Sequence, residues 1–213
     1  MRVVLIPMKP LVGAKERLAP ALNPDERRRL SLAMLTDVMA ASRGFDRVWV
    51  LNSDAEAESA AVAAEVEAVP DPAPGAGLNA SLTAATERAI GEGATGVLVV
   101  SADLPAVSAA DLEALSNKEG LAVAPDRSGT GTNALWRSPG NTIQVAFGTS
   151  SLAAHERLAR EAGVDIRLVE RPGLALDVDV PDDLAAAWKT TVGPATRRAL
   201  EEIDVAARLR LAG

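Results

Sequence analysis

Four consecutive apolar residues, Val97-Leu98-Val99-Val100, run directly into Ser101-Ala102-Asp103-Leu104-Pro105. Three of the four are β-branched, and neither face of the extended run is polar. Side chains alternate sides along a strand, so such a run needs cover on both faces. That need points to a sheet packed between helices, as in parallel α/β proteins. In open sheets of this kind ligands sit just beyond the carboxyl ends of the strands. Asp103 is placed there as a candidate, and an aspartate in an ordinary turn is the alternative reading of this motif alone.

The rest of the chain agrees with that class. Arg2 to Ile6, Arg47 to Leu51, Glu65 to Val69 and Leu121 to Ala124 read as strands. Asn133 to Trp136, Ile143 to Ala146, Val164 to Val169 and Leu174 to Val178 complete the set. Helices are expected between them. One starts near Pro24, with Asn23 as cap and Glu26 closing a capping box, and stops at Gly44. Ser53-Asp54-Ala55-Glu56 reads as another capping box, with Ser53 as cap, opening a helix to about Ala64. Further helices cover about 78–92, 108–118, 151–162, 181–188 and 194–211. Strands alternate with helices nearly throughout, which predicts a mostly parallel mixed sheet flanked by helices. The less regular late strands leave room for an antiparallel edge. No internal repeat or long linker divides residues 1–213, so one domain is expected.

Composition removes several function classes. The 213 residues include no cysteine and one histidine, which excludes thiolate and multi-histidine metal sites. A net charge of −7 argues against a nucleic-acid surface. No apolar run approaches the roughly 18 residues a membrane helix requires, and the start reads as a first strand, too short for a signal peptide. A cytoplasmic protein with neither nucleic-acid nor membrane partners is expected.

Two acidic segments and one basic loop are the chemical candidates. In Leu174-Ala175-Leu176-Asp177-Val178-Asp179 the carboxylates lie two apart, so on a strand they face the same way. Hard cations such as Mg²⁺ take oxygen ligands, usually one or two carboxylates plus substrate phosphates. Asp103, from a neighbouring strand end, would complete such a site. A solvated acidic turn before the helix at Pro181 is the alternative. The loop after the first strand carries Lys9, Lys15 and Arg17, suited to a triphosphate or simply solvated. It lacks the glycines of a Walker A loop or a dinucleotide fingerprint. Asp126 to Asn133 offers backbone N–H groups and hydroxyls to an anion. Phe147-Gly148-Thr149-Ser150-Ser151 opens a helix, where Ser151 is either an anion ligand or a plain cap. Asn79 suits a nucleobase or ribose, or caps a helix. His155 reads as a packed or solvent-facing helical residue. The three tryptophans read as core.

Taken in order, Ile6-Pro7-Met8-Lys9-Pro10-Leu11, Ala14-Lys15-Glu16-Arg17-Leu18, Gly77-Leu78-Asn79-Ala80, Ser101-Ala102-Asp103-Leu104-Pro105, Gly129-Thr130-Gly131-Thr132-Asn133 and Leu176-Asp177-Val178-Asp179 resemble the guanylyltransferases of coenzyme F420 biosynthesis. The resemblance covers nearly the whole chain. It implies a single domain of the nucleotide-diphospho-sugar transferase (GT-A) type, GTP as donor, Mg²⁺ as cofactor and pyrophosphate as product. It implies Asp103, Asp177 and Asp179 as metal ligands, which leaves Lys9, Lys15, Arg17 and Asn79 as the candidates for GTP. It implies Thr132, Gly148 and Ser151 on the acceptor. Val192-Gly193-Pro194-Ala195-Thr196-Arg197 resembles the actinobacterial branch, for which phosphoenolpyruvate is the implied acceptor. 2-Phospho-L-lactate and 3-phosphoglycerate are the alternatives, and a homodimer is left open.

A phosphorylated acceptor needs no general base, because a phosphate monoester is largely dianionic at neutral pH, with a second pKa of about 6. That agrees with the lack of a histidine near Ser101 in sequence. A sugar-phosphate nucleotidyltransferase or a glycosyltransferase is the nearest rival, although sugars usually call for aromatic platforms and only 2% of residues are aromatic. A nucleotide-sensing module without catalysis is the rival of another class. It would not need all three acidic positions.

Overall fold

The computed structural model describes residues 1–210. Seven strands form one sheet: β1 (Arg2–Pro7), β2 (Arg47–Asn52), β3 (Glu67–Pro70), β4 (Gly96–Val100), β5 (Gly120–Pro125), β6 (Thr132–Ser138) and β7 (Ile166–Leu168). Their order is β3-β2-β1-β4-β6-β5-β7. All neighbours are parallel except where β6 meets β4 and β5. The antiparallel strand is therefore internal, not the edge that the irregular late pattern led us to expect. A short β5–β6 connection permits this, because consecutive antiparallel strands need only a tight loop.

Every residue of β4 is buried. Leu98 and Val100 enter one apolar cluster, with Val38, Leu112 and Trp136, while Val97 and Val99 enter the other, with Trp49, Leu82 and Leu135. The all-apolar run is thus the expected two-sided strand. At its start, a methyl group on Gly96 would overlap the ring of Trp136, so only glycine admits that indole over the strand.

Helices α1 (Pro24–Ala41), α2 (Ala55–Ala63), α3 (Leu78–Gly91), α4 (Ala109–Ser116) and α5 (Ser151–Ala162) cover the sheet. The Asn23/Glu26 capping box forms as expected, while Asp54, not Ser53, caps α2. Asp54 presents its carboxylate to two free N–H groups, which favours the acidic cap. The chain continues through α6 (Pro172–Ala175), α7 (Pro181–Lys189), α8 (Pro194–Glu202) and α9 (Val205–Arg208). The expected final helix over 194–211 breaks where Asp204 turns left-handed at φ 57°, and its last residue lies outside the described ones. Asp37 of α1 accepts from the N–H groups of Ala195 and Thr196, fixing α8 at its start.

Two expected strands are absent. Residues 143–146 pair with no strand, because side chains take their backbone groups. Arg137 donates to the Ile143 carbonyl, and Ala146 donates to His155. In 174–178, Pro172 starts the single turn α6, and Asn133 takes the carbonyls of Leu174 and Ala175. Leu174, Leu176 and Val178 are apolar because they fill the core, not because they pair.

The chain winds from β1 through β2 to β3 on one side and then returns to place β4 on the other side of β1. Beyond the carboxyl ends of β1 and β4 lies the point where strand order reverses, the usual ligand position in such sheets.

Candidate active site

A cleft of about 760 Å³ opens at that reversal point, within the range of small-molecule sites. The segment after β1 supplies Met8, Lys9, Lys15 and Arg17 to it. The segment after β4 supplies Ser101 and Asp103, and Asp179 closes one side.

Lys15 is central. Its backbone adopts φ 54°, ψ 40°, a left-handed conformation that costs a non-glycine residue roughly 1 kcal/mol or more. That turn carries the ammonium inward, where it contacts Asp103 and donates to Asp179 Oδ1 at 2.7 Å. Burial would lower the pKa of Lys15, but Asp103 and Asp179 outweigh it and hold the group above its ordinary value. Burial would raise Asp179, but Lys15, then Arg17 and Lys9, hold it below the usual carboxylate range. Arg17 stands 3.8 Å from Asp179. The three basic residues of the loop therefore converge with Asp179 at one end of the cleft.

Asp177 differs. Burial first, and then the neighbouring Asp103, push its carboxyl above the ordinary value, against a 3.4 Å contact from Asn133. The segment is held by Val178, which donates to the Asp103 carbonyl at 3.3 Å, and by Asp183, which accepts from Asp179 and Val180 and pairs with Arg127. The extended-strand premise for this pair is replaced by these anchors.

The three aspartates do gather, but among the described residues no three acidic or histidine side chains converge on a single point. Lys15 takes the position between Asp103 and Asp179, and Asn133 draws on Asp177. The donor set is nonetheless all-oxygen and anionic. Two of its carboxylates already share one cation, and the third is raised by burial first and by the like charge of Asp103 second. These properties fit a hard divalent ion.

A second group forms beside β6. Thr132, Gly148, Ser151 and His155 come together. Thr132 Oγ1 lies 3.0 Å from His155 Nδ1, Ser151 donates its backbone N–H to Gly148 at 3.2 Å, and Leu152 donates to Thr130 at 3.1 Å. Gly148 has φ +133° and open space where a side chain would point. Ser151 sits one residue inside α5, so it is not the helix cap. The loop 126–131 closes partly on itself: Thr130 donates to Asp126 at 2.9 Å. Burial would raise Asp126, but Gly131, Ser128 and Thr130 hold it low. Fewer amides are free there for an anion than the sequence led us to expect.

Asn79 does not cap its helix. Its amide donates to the Phe147 carbonyl at 2.9 Å and accepts from the Phe147 N–H at 2.8 Å. Its hydrogen-bonding edge is therefore turned to protein backbone, and Gly77 caps α3. Asp71 and Ser81, which sequence reasoning passed over, line the cleft and bond to each other. The available signal was position: Asp71 directly follows β3, as Asp103 follows β4.

The family model described as "Guanylyl transferase CofC like" matches residues 1–209. A phosphoenolpyruvate guanylyltransferase of Conexibacter woesei is 41% identical over 190 residues, covering 85% of each chain. One of Sphaerobacter thermophilus is 39% identical over 189 residues, covering 85% of this chain and 90% of the relative. Among solved structures, a Desulfovibrio desulfuricans protein assigned to the nucleotide-diphospho-sugar transferases has a TM-score of 0.77 at 17% identity, covering 98% of this chain and 96% of that one. Glucosyl-3-phosphoglycerate synthase of Mycobacterium tuberculosis, bound to Mn²⁺ and UDP, has a TM-score of 0.56 at 13% identity, covering 100% and 81%. These two likenesses concern the fold.

Proposed function

From the premise that this chain belongs to the CofC-like guanylyl transferase family, we propose that it couples GTP to phosphoenolpyruvate in coenzyme F420 biosynthesis, in the cytoplasm. The products are enolpyruvoyl-diphospho-guanosine and pyrophosphate. The observation that carries the reading is the Lys15 ammonium held on both Asp103 and Asp179 at the strand-order reversal, beside a nucleotide-sized cleft.

The acceptor phosphate oxygen attacks the α-phosphorus of GTP. A P–O bond forms there, the bond to the bridging β-phosphate oxygen breaks, and pyrophosphate leaves with that electron pair. No proton need be removed, since the acceptor is already largely dianionic. Anion repulsion is the obstacle, and positioned positive charge is the remedy. Lys9, Lys15 and Arg17 hold the triphosphate. Thr132, Gly148 and Ser151 hold the acceptor. Asp103, Asp177 and Asp179 would hold a magnesium ion, whose charge offsets that of the phosphates when it is bound.

Pyrophosphate release tests the reading. GTP with phosphoenolpyruvate supports release, while ATP or CTP with phosphoenolpyruvate does not. Faster release with 2-phospho-L-lactate or 3-phosphoglycerate replaces the acceptor. No release with any phosphorylated C3 acid refutes the assignment.

A further inference from the structure

The chain contains a single histidine, His155, and the phosphoryl-transfer step has no use for it as a base. It is fully buried on α5, one helical turn after Ser151 and on the same face. Both ring nitrogens are engaged. Nε2 lies 3.0 Å from the N–H of Ala146, and Nδ1 lies 3.0 Å from Thr132 Oγ1. A backbone N–H can only donate, so Nε2 is the acceptor and carries no proton. In the neutral ring the proton is then on Nδ1, which donates to Thr132 Oγ1. Burial first, and the buried Arg137 guanidinium second, push the imidazole pKa down to about 4, so neutrality holds at physiological pH.

The tautomer sets the polarity of Thr132. Its oxygen is occupied as an acceptor, so its own hydrogen must point elsewhere. Among the described residues the hydroxyl has no other hydrogen-bond partner. A hydroxyl so oriented donates to an incoming oxyanion. With the opposite tautomer it would donate to Nδ1 and face the anion with lone pairs.

The same histidine braces the neighbouring turn. Gly148 and Ser150 both have left-handed backbone, φ 133° and 55°. Glycine adopts this freely, but for Ser150 it is strained and persists only where the surroundings enforce it. Ala146 is tied to His155, and Phe147 packs edge-on against the imidazole at 5.1 Å. On the other side Asn79 holds both backbone groups of Phe147.

We infer that His155 is a positioning residue of the acceptor pocket: through Nδ1 it fixes the Thr132 hydroxyl as a donor to the acceptor's phosphate or carboxylate, and through Nε2 it anchors the turn that presents Gly148 and Ser151. This rests on the reading of Thr132, Gly148 and Ser151 as acceptor ligands.

Two measurements test it on the full-length protein. Because there is one histidine, ¹⁵N-imidazole NMR gives one unambiguous pair of signals. The expected result is protonated Nδ1 and unprotonated Nε2, with the Nδ1 signal shifting on addition of phosphoenolpyruvate with GTP but not with GTP alone. The Nε2-protonated tautomer overturns the inference. In steady-state kinetics, His155→Leu raises KM for phosphoenolpyruvate about tenfold or more, the usual scale for a lost hydrogen bond to a charged group. KM for GTP stays within about twofold on the same reasoning. His155→Asn, which keeps a donor near the Nδ1 position, recovers part of the loss. Thr132→Val adds little in the His155→Leu background, whereas two merely structural defects would multiply. Equal changes in both KM values, or full additivity, overturn the inference. If His155→Leu does not fold, the tautomer measurement decides alone. A wild type inactive with every phosphorylated C3 acid refutes the functional reading; an active wild type with an unaffected His155→Leu variant refutes only the role of His155.

Discussion

Replacing Lys15 with methionine removes the ammonium that touches Asp103 and Asp179 while keeping most of the side-chain volume. Charge-assisted hydrogen bonds contribute about 1.5–3 kcal/mol each when sheltered. The Asp103 contact is sheltered, with side chains 12% and 26% exposed. Asp179 is 43% exposed, so its contact counts as a surface pair of about 0–1 kcal/mol. Desolvation of the ammonium opposes both. A net loss of about 1–3 kcal/mol remains, which for a chain of this size lowers Tm by roughly 2–10 °C. The sign with pH follows from the shifts. Lys15 is raised, so its contribution is complete below the unfolded lysine value near 10.4 and is lost as pH rises through the folded value. Asp179 is lowered, so its contribution is present above the unfolded value near 3.9 and fades as pH falls through the folded value. The Tm deficit of Lys15→Met is therefore broad across neutral pH and closes at both extremes. Without nucleotide the variant binds Mn²⁺ more tightly than wild type, by about tenfold if release of the ammonium costs wild type about 1.4 kcal/mol. Turnover nevertheless falls. Calorimetry and Mn²⁺ titration check both halves. An unchanged Tm together with weaker Mn²⁺ binding would show that Lys15 does not neutralise these carboxylates.

Asp103→Asn and Asp177→Asn each reduce pyrophosphate release by orders of magnitude with the fold intact by circular dichroism; near-wild-type rates at saturating Mg²⁺ exclude the metal role. Asp177→Asn also raises Tm at pH 7 by roughly 1–4 °C, because a carboxyl held above its ordinary value destabilises the fold once ionised. Acid titration of wild type shows Tm declining as pH falls from about 6.5 toward 4, since the unfolded chain binds the His155 proton that the fold rejects, worth at most about 3 kcal/mol; this decline shrinks in His155→Leu. Gly96→Ala loses roughly 1–3 kcal/mol or fails to accumulate, because the methyl group overlaps the Trp136 ring; urea unfolding measures it.

Local patterns were legible where backbone pairing alone decided the structure. The all-apolar β4, the Asn23 capping box and the glycine stop after α5 follow from periodicity and end chemistry. The misread segments have their backbone groups bonded by side chains instead of by a neighbouring strand. Ile143 and Ala146 look like a strand, but Arg137 and His155 take their hydrogen bonds. Leu174 and Ala175 look like a strand, but Asn133 takes their carbonyls. Asn133 lies 41 residues from Leu174, and Arg137 and His155, although only 6 and 9 residues from their partners, belong to no periodic pattern that shows their side chains turning to backbone. The same cause separates the site residues. Asp103 and the basic loop meet because strand ends of a parallel sheet converge on one edge, whereas Asp177 and Asp179 arrive on an irregular segment anchored by Asn133, Asp183 and the Asp103 carbonyl. The pairing of Asn79 with Phe147 was not legible, because the two lie 68 residues apart.

One division of labour links these observations. The polar groups of the site fall into charged residues near the cleft and neutral ones behind the acceptor turn. On the first side, the ammonium of Lys15 is shared by two of the three carboxylates, and with Arg17 and Lys9 nearby three cations face three carboxylates before any phosphate arrives. On the second side, the imidazole and the Asn79 amide are uncharged and committed to backbone and to one hydroxyl. A buried neutral donor is pre-oriented and need not reorganise as charge shifts during the reaction. An added formal cation there would instead bind the acceptor dianion tightly in its ground state, which does not by itself speed the chemical step. Arg137 lies behind His155 with its two terminal nitrogens on Ile143 and Thr86. Burial chiefly keeps the imidazole neutral, and Arg137 adds to it with its own terminal nitrogens committed elsewhere. On the proposed assignment, charge on the acceptor is thus met chiefly from the Lys9, Lys15 and Arg17 side, where the leaving pyrophosphate would also develop its negative charge.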